Sequence, residues 1–296
     1  MKKILLSISA LATMLATTAT FSACSSDDEQ QSSTATLIIN ASKGDYGSGS
    51  GTRAIVLDND AIVTKWSKGD NVYAYKEGWS ALIGTLNPKE NSSNNNTKLD
   101  GNIAKGNLKV GDNLEFITPR NTWDYSGQDG TIPTISSKYD YATARVQVTF
   151  FDQNDKVYGT TAKFATQQAI VKYNLYYMDG QTQRPLNATS LSIVAESGKL
   201  VKSRSLDGKD VVYGGLEITP TDATNVFYVA LRNENADKDK YTLTAKVGDG
   251  TIYTSTSPNY HTYPYTSYYN HNVIMSVYDD THTERDVYQS KVDETW

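Results

Sequence analysis

Cysteine is almost absent from this chain, whose 296 residues contain one, Cys24. A single cysteine cannot form an intrachain disulfide, so the core and the hydrogen bonds must hold the fold. Proline is scarce as well, with seven residues, and no long apolar run occurs beyond the N-terminal 24 residues. The composition is that of a globular protein, long enough for one large or two ordinary domains.

Residues that commonly carry chemistry are also few. The three histidines, His261, His271 and His282, are separated by ten and eleven positions, which matches no usual zinc pattern. No glycine-rich phosphate loop precedes a helical segment, and no serine has the context of a nucleophile elbow. The net charge of −5, without a basic stripe, argues against nucleic acid as a partner. We therefore expect no enzyme activity, no cofactor and no metal site.

The N-terminus has the pattern of an export signal. Lys2 and Lys3 precede an apolar stretch, residues 4–20, that Ser and Thr interrupt. This pattern predicts a secretory signal that is too weakly apolar for a good membrane span. The sequence 21-FSAC-24 resembles a lipobox, with Phe21 where leucine is usual, and this resemblance makes Cys24 the lipid-bearing first residue of the mature chain. The alternative is an ordinary signal peptide with a chance cysteine.

A polar segment follows Cys24. Residues 25–36, SSDDEQQSSTAT, contain no apolar residue larger than alanine and cannot bury enough surface to fold. We interpret residues 24–35 as a flexible acidic tether between a membrane and the folded body. An acidic run behind a lipidated cysteine resembles the surface-export signal of Bacteroidales lipoproteins, which implies a position on the outside of the outer membrane.

The rest of the chain predicts an all-β protein. Tyrosine is frequent, with 21 residues, and short runs of alternating apolar and polar residues recur between turn signals. The segment 240-KYTLTAKVGDGTIYTS-255 predicts a hairpin, since Asp-Gly suits a tight turn that needs positive φ. The number of strands exceeds one typical sandwich. We therefore expect two tandem β-sandwiches, at 36–155 and 156–280, followed by a tail at 281–296, with one large barrel or jelly roll as the alternative.

Aromatic residues form the second notable pattern. The segment 253–271 is rich in tyrosine, and three tryptophans lie earlier in the chain, Trp66, Trp79 and Trp123. Exposed aromatic side chains can form a face that binds sugars or proteins. The alternative is a tyrosine-rich loop packed on its own sheet. A surface lipoprotein that binds glycans through these faces is thus one candidate function.

Several segments taken in order resemble one family. A soft loop, 47-GSGSGTRAIV-56, lies between the predicted strand 36-TLIIN-40 and the segment 65-KWSKGDNVYAY-75. The latter resembles the Trp, Gly-Asp and strand segment of Bacteroidales fimbrillins. Residues 163–177 are similar to the long strand that opens their second domain, and 271-HNVIMSV-277 lies where that domain ends. The resemblance implies a subunit of a type V pilus, built from two transthyretin-like β-sandwiches and exported as a lipoprotein.

The resemblance also implies how subunits assemble. Leu37, Ile38 and Ile39 would belong to a removable strand that completes a sheet in the precursor. An arginine-specific or trypsin-like protease would cut the flexible loop after Arg53 and leave Ala54 as the new N-terminus. A strand of another pilin subunit would then fill the open groove, and this head-to-tail contact builds a filament. An ordinary exposed arginine is the alternative interpretation of Arg53.

The donor strand is less defined in the sequence. The C-terminal tail contains three apolar residues that could fill a groove, Val287, Val292 and Trp296. Its alternation is poor, and a charged, frayed tail is an equal alternative. An anchor subunit would stay lipidated and uncut, whereas a tip subunit would need no donor. Arg53 and the C-terminal extension favour a stalk or tip subunit.

Overall fold

A computed structural model describes residues 34–43, 56–58, 61–63, 65–89, 96–234, 238–265 and 267–278. Cys24, Arg53, Ala54 and the tail residues Val287, Val292 and Trp296 lie outside these ranges. Within the described ranges, no helix combines the length and the apolar character needed to cross a membrane.

The described chain is built from β-strands. The first eleven are β1 (Thr34–Lys43), β2 (Val56–Asp58), β3 (Ala61–Val63), β4 (Val72–Lys76), β5 (Leu82–Pro88), β6 (Asn96–Ala104), β7 (Asn113–Thr118), β8 (Trp123–Asp124), β9 (Ala142–Phe151), β10 (Lys156–Gly159) and β11 (Ala162–Thr166). The other ten are β12 (Ala169–Asp179), β13 (Thr182–Pro185), β14 (Ser190–Ala195), β15 (Val201–Arg204), β16 (Val211–Tyr213), β17 (Leu216–Ile218), β18 (Val226–Leu231), β19 (Tyr241–Lys246), β20 (Ile252–Thr256) and β21 (Tyr268–Val277). Short helical turns occur at Glu77–Trp79, Ile132–Thr134 and Ile135–Tyr139.

The first sheet closes on itself. Its strand order is β10-β1-β11-β9-β7-β4-β5-β6, and β6 also pairs with β1. β10 and β11 share one place in the ring, each lying between β1 and β9 over a different part of their length. Closure removes the free edges that an open sheet would leave. The inward side chains of this first body form one core, which includes Leu86, Leu99, Phe116 and Val146.

Glycine permits the close contact of two strands in this ring. A Cβ on Gly101 of β6 would lie 2.2 Å from the carbonyl oxygen of Thr85 on β5. A Cβ on Gly84 would meet the carbonyl oxygen of Asn102 at 2.3 Å. Neither separation is possible for real atoms, so only glycine allows β5 and β6 to approach each other here.

The second sheet contains the later strands. Its order is β13-β12-β21-β20-β19-β14-β17, and β18 pairs with β12 beside β13. β12 has buried residues on both faces over much of its length, as expected for a strand in the middle of a sheet. Its core includes Tyr173, Leu191, Phe227 and Leu243. We call this sheet and its core the second body.

A segment from the first half of the chain packs on the second body. Residues 119–141 connect β7 to β9, two neighbouring strands of the first sheet. Within this insertion, β8 pairs with β15 in a small sheet that also contains β16. Tyr125 and Ile132 belong to the same core as the strands of the second sheet. The two bodies are therefore joined by an insertion as well as by the passage from β11 to β12.

The all-β prediction with two sheet bodies is confirmed. The hairpin predicted at 240–255 is present as β19 and β20. The boundary predicted between residues 155 and 156, by contrast, falls inside the first sheet, because β10 and β11 pair with β1 and β9. The polar run 152-DQND-155 that suggested a linker is a hairpin turn, in which the Asp152 carboxylate accepts hydrogen bonds from the backbone N–H groups of Asn154 and Lys156.

Candidate strand-acceptor site

β1 completes the ring of the first body. Residues Thr34–Ser42 pair antiparallel with Asn96–Ala104 of β6. On the other side, Thr36–Ile38 pair in parallel with Lys156–Tyr158 of β10, and Ala41–Lys43 pair in parallel with Ala162–Phe164 of β11. Both edges of β1 are therefore hydrogen-bonded, and no other strand of the described ranges joins β6 to β10 and β11.

Alternate side chains of β1 point into the core. Ala35, Leu37, Ile39 and Ala41 are 4%, 0%, 1% and 1% exposed, and they belong to the core of the first body. This period of two is what a strand with one buried face requires. Burying side chains of the size of Leu37 and Ile39 stabilises the fold by roughly 1.5–3 kcal/mol each. β1 thus contributes to both the core and the sheet.

The inward positions of β1 differ in the space around them. Leu37 is paired with Gly101 of β6 and with Val157 of β10. Ile39 is paired with Leu99, and its Cγ2 lies 3.3 Å from the place where a Cβ on Gly159 would stand. The two large side chains therefore lie beside glycines, and the two alanines occupy the ends of the buried stretch.

The outer face of β1 is partly apolar. Ile38 is half-buried and is paired with Tyr158 of β10, which in turn is paired with Phe150 of β9. The rings of Phe150 and Tyr158 lie 5.9 Å apart, and Phe150 is exposed. The predicted strand residues thus divide between the two faces: Leu37 and Ile39 are in the core, whereas Ile38 lies outside.

One end of β1 is flanked by an ion pair. Lys105, directly after β6, lies with its Nζ 2.9 Å from Oδ1 of Asp155, directly before β10. Because β6 and β10 lie on opposite sides of β1, this contact joins the two flanking strands at the Thr34 end. The backbone N–H of Thr36 also donates to the carbonyl oxygen of Asp155 at 2.9 Å, and the Thr36 hydroxyl donates to Oδ1 of Asn102.

The turn before β10 is held in place by a carboxylate. Desolvation opposes ionisation of Asp152, but the backbone hydrogen bonds from Lys156 and Asn154 outweigh it and lower the pKa of this side chain. Asp155 has a positive φ of 53°, which is uncommon for a residue other than glycine. The turn therefore fixes Asp155 where it can contact both Thr36 and Lys105.

β6 on one side and β10 with β11 on the other leave room for one strand, and we call this space the slot of β1. Without β1, the facing edges of β6 and of β10 with β11 would present unpaired N–H and C=O groups, and Leu99, Ile103, Val157 and Phe164 would lose their cover. Such a slot has the chemistry that β-strand addition uses: backbone hydrogen bonds on both sides and pockets for alternate side chains.

Two of the three tryptophans expected on an exposed platform are buried, and the third, Trp79, packs against Tyr75 with its ring centre 5.4 Å away. Trp66 and Trp123 are 2% and 4% exposed. Trp66 packs against Phe164, and the guanidinium groups of Arg204 and Arg232 lie over the ring of Trp123 at 4.4 and 5.0 Å. The expectation that these two side chains present a sugar-stacking face is therefore wrong, because both are packed within the fold.

The tyrosine-rich segment packs mostly on its own sheet. Tyr263 is buried, and its hydroxyl lies 3.1 Å from Nε2 of His271. Burial raises the pKa of Tyr263 well above its ordinary value, and burial lowers the pKa of His261. The rings of His261 and His271 lie 5.3 Å apart in this cluster. Tyr260, by contrast, is exposed.

Among the described residues, no group of three or more His, Cys, Asp or Glu side chains is arranged so that it could hold a metal ion.

The sequence did not indicate the ion pair of Lys105 and Asp155. These residues are 50 positions apart, and neither lies in a pattern that predicts pairing. They are close in the structure because Lys105 follows β6, Asp155 precedes β10, and both of these strands pair with β1.

No protein-family model and no curated protein matches the chain. Among solved structures, it is similar to a "putative cell adhesion protein" from Bacteroides uniformis ATCC 8492, with a TM-score of 0.45 and 13% identity over 82% of this chain and 95% of the other. A protein of the same description from Bacteroides ovatus ATCC 8483 gives 0.44 and 13% over 82% and 94%. A fimbrial assembly protein from Parabacteroides distasonis ATCC 8503 gives 0.38 and 11% over 81% and 90%.

Proposed function

We propose that this chain is a structural subunit of a surface fimbria that serves in adhesion. It is exported as a lipoprotein through Cys24, held at the outer membrane, cut after Arg53 and polymerised by strand exchange. Its partners are a trypsin-like or arginine-specific protease and other pilin subunits. The resemblance of the sequence to fimbrillins supports this assignment, and the geometry of β1 supports the assembly mechanism.

The position of β1 is the observation that carries the proposal. β1 is the first described strand, follows the acidic segment, and precedes the Gly-Ser-rich sequence that contains Arg53. Its hydrogen bonds to β6, β10 and β11 and its four buried side chains make it an integral part of the first body. A cut after Arg53 would remove the covalent link between β1 and the remaining strands while those contacts persist.

Strand exchange then needs no change in the rest of the ring. An incoming strand that runs in the direction of β1 can form the same antiparallel bonds to β6 and the same parallel bonds to β10 and β11. If the donor belongs to a neighbouring subunit and that subunit receives its own donor from a third, the contact does not close and a filament grows. In this proposal Val287, Val292 and Trp296 belong to the donor segment if the chain is a stalk subunit, whereas a tip subunit would not use them.

Limited proteolysis tests the proposal. The purified chain is treated with trace trypsin, the new N-terminus is sequenced, and the products are separated on a native gel. We expect an N-terminus at Ala54, followed by a ladder of oligomers. Arg53→Ala is the matched control, and it should remain monomeric under the same treatment. Oligomers of equal yield from Arg53→Ala, or a wild-type chain that is cut after Arg53 and stays monomeric, would contradict the proposal.

A further inference from the structure

The strands of the second sheet leave a gap, and a segment from the first half of the chain fills it. β18 and β17 are the strands at this gap, since β18 pairs with β12 and β17 pairs with β14. Gln128, in the insertion between β7 and β9, forms a parallel bridge with Ile218 of β17. The backbone N–H of Thr219 also donates to the carbonyl oxygen of Gln128 at 3.0 Å.

The same segment occupies the edge of β18. The N–H groups of Val226, Tyr228 and Ala230 point away from β12, and each has an acceptor. Val226 donates to Oγ1 of Thr224 at 3.1 Å, Tyr228 donates to the carbonyl oxygen of Gly130 at 2.9 Å, and Ala230 donates to Oε1 of Gln128 at 2.8 Å. An edge strand ordinarily presents such groups to other chains, so their pairing within the molecule protects β18.

The Gln128 side chain acts on this edge as a neighbouring strand would. Its amide accepts from the N–H of Ala230 and donates through Nε2 to the carbonyl oxygen of Ala230, each at 2.8 Å. Nε2 also donates to the carbonyl oxygen of Tyr125 at 2.9 Å. The side chain is 2% exposed, and leaving these buried groups unpaired would be costly. A primary amide supplies the acceptor and the two donors that this place requires.

Gly130 allows the segment to lie this close. Its φ is +78°, and a Cβ there would stand 3.1 Å from Cδ1 of Phe227 and 3.2 Å from Cγ2 of Ile218. Both neighbours belong to the core of the second body. The glycine therefore brings its carbonyl oxygen to Tyr228 between β17 and β18 without a steric clash.

We propose that the segment Tyr125–Gly130 is an internal substitute strand that closes the second body to strand addition, with Gln128 as its positioning residue. When the segment is displaced, the edge of β18 becomes available to the β18 edge of a second copy of this chain, because identical antiparallel edges complement each other. In a subunit that assembles through the slot of β1, this closure keeps the filament unbranched, because incoming strands can then bind only in that slot. The inference itself does not depend on the cut after Arg53.

The test compares two buried amide side chains in the uncut chain. Gln128→Ala removes the side chain that covers β18. Asn174→Ala is the matched control, because Asn174 is also a buried amide, with Nδ2 2.7 Å from Oδ1 of Asn270 and 3.1 Å from the carbonyl oxygen of His271, both on β21 and away from the open edge of β18. Light scattering coupled to size-exclusion chromatography measures association, and hydrogen exchange measures protection of the Ala230 amide.

We expect Gln128→Ala to form dimers while Asn174→Ala and the wild type stay monomeric. In monomeric Gln128→Ala at low concentration, the Ala230 amide should exchange at least tenfold faster than in the wild type. Monomeric Gln128→Ala with unchanged protection at Ala230, or equal dimerisation of Asn174→Ala, would overturn the inference. Should Gln128→Ala not fold, Gln128→Leu decides the matter, since it keeps most of the volume but can neither accept from nor donate to Ala230; an Ala230 amide as protected in it as in the wild type, without dimers, would overturn the inference.

Discussion

Lys105 and Asp155 form an ion pair of 2.9 Å between the two strands that flank β1, at the end where β1 begins. The nitrogen of Lys105 also lies 5.9 Å from the ring centre of Phe151. This ion pair thus holds together the strands on either side of β1 at its Thr34 end. The proposed cut after Arg53 lies beyond the other end, at Lys43, and this asymmetry predicts the direction in which β1 opens.

In the chain cut after Arg53, amide hydrogen exchange should begin at Ala41–Lys43 before it reaches Thr34–Thr36. Lys105→Met should speed exchange at Thr34–Thr36 by about two- to fivefold, as expected for the loss of a partly exposed ion pair. Lys89→Met is the control, since Lys89 contacts Asp100 at the same distance of 2.9 Å without spanning β1. Equal effects of the two substitutions would show that the ion pair across β1 has no special role.

The two faces of β1 should differ in their contribution to stability. Leu37→Ala creates a cavity in the core and should lower the free energy of unfolding by about 2–5 kcal/mol. Ile38→Ala removes a half-buried side chain from the outer face and should cost less than half as much. Urea denaturation of the uncut chain measures both. Similar losses of unfolding free energy in the two variants would mean that the buried side chains of β1 do not determine how strongly it binds to the first body.

The contact of β5 and β6 requires glycine at residue 101. Gly101→Ala would place a Cβ 2.2 Å from the carbonyl oxygen of Thr85 and should destabilise the first body by about 1–3 kcal/mol or more. Gly69→Ala is the matched control, because nothing lies within 4 Å of a Cβ there. Thermal unfolding distinguishes the two variants, and an unaltered midpoint for Gly101→Ala would contradict the closed ring.

The buried carboxylate of Asp239 predicts a pH dependence. Desolvation raises its pKa, but hydrogen bonds from Ser197, Asn233 and the backbone N–H of Lys240 outweigh this and lower the pKa in the folded state. A lowered folded pKa contributes stability that is present above the unfolded value, about 3.9, and is lost as the pH falls through the folded value. Denaturation from pH 6 to pH 2 should therefore show a steeper acid loss in the wild type than in Asp239→Asn. Parallel pH profiles of the wild type and Asp239→Asn would show that Asp239 does not cause the loss of stability in acid.

Local patterns were sufficient to predict most strands. Alternation identified β1, β9 and β12, and Asp-Gly identified the hairpin of β19 and β20. The first sheet could not be predicted as a closed ring, because its closure depends on pairing β1 with β6, more than 50 residues later. β10 and β11 were assigned to the second domain for the same reason: a short strand carries no signal of the sheet that it joins.

The candidate site was likewise predicted only in part from the sequence. The apolar residues of β1 were visible in the sequence, and their alternation implies one buried face. The contacts of Lys105, Asp155 and Gln128 could not be predicted, since a lysine, an aspartate or a glutamine in a polar stretch ordinarily faces solvent. Trp66 and Trp123 show the opposite error: they were expected to be exposed and are buried, because composition does not distinguish an exposed aromatic ring from a buried one.

A strand-replacement experiment tests the central claim most directly. The chain cut after Arg53 is incubated with an isotopically labelled peptide of residues 34–43, and native mass spectrometry measures its incorporation. We predict that the labelled peptide replaces β1 in a folded body, that a peptide with Leu37→Asp fails to do so, and that one with Ile38→Asp succeeds. A cut chain that never exchanges β1, or that unfolds when β1 leaves and does not recover with the peptide, would contradict the account.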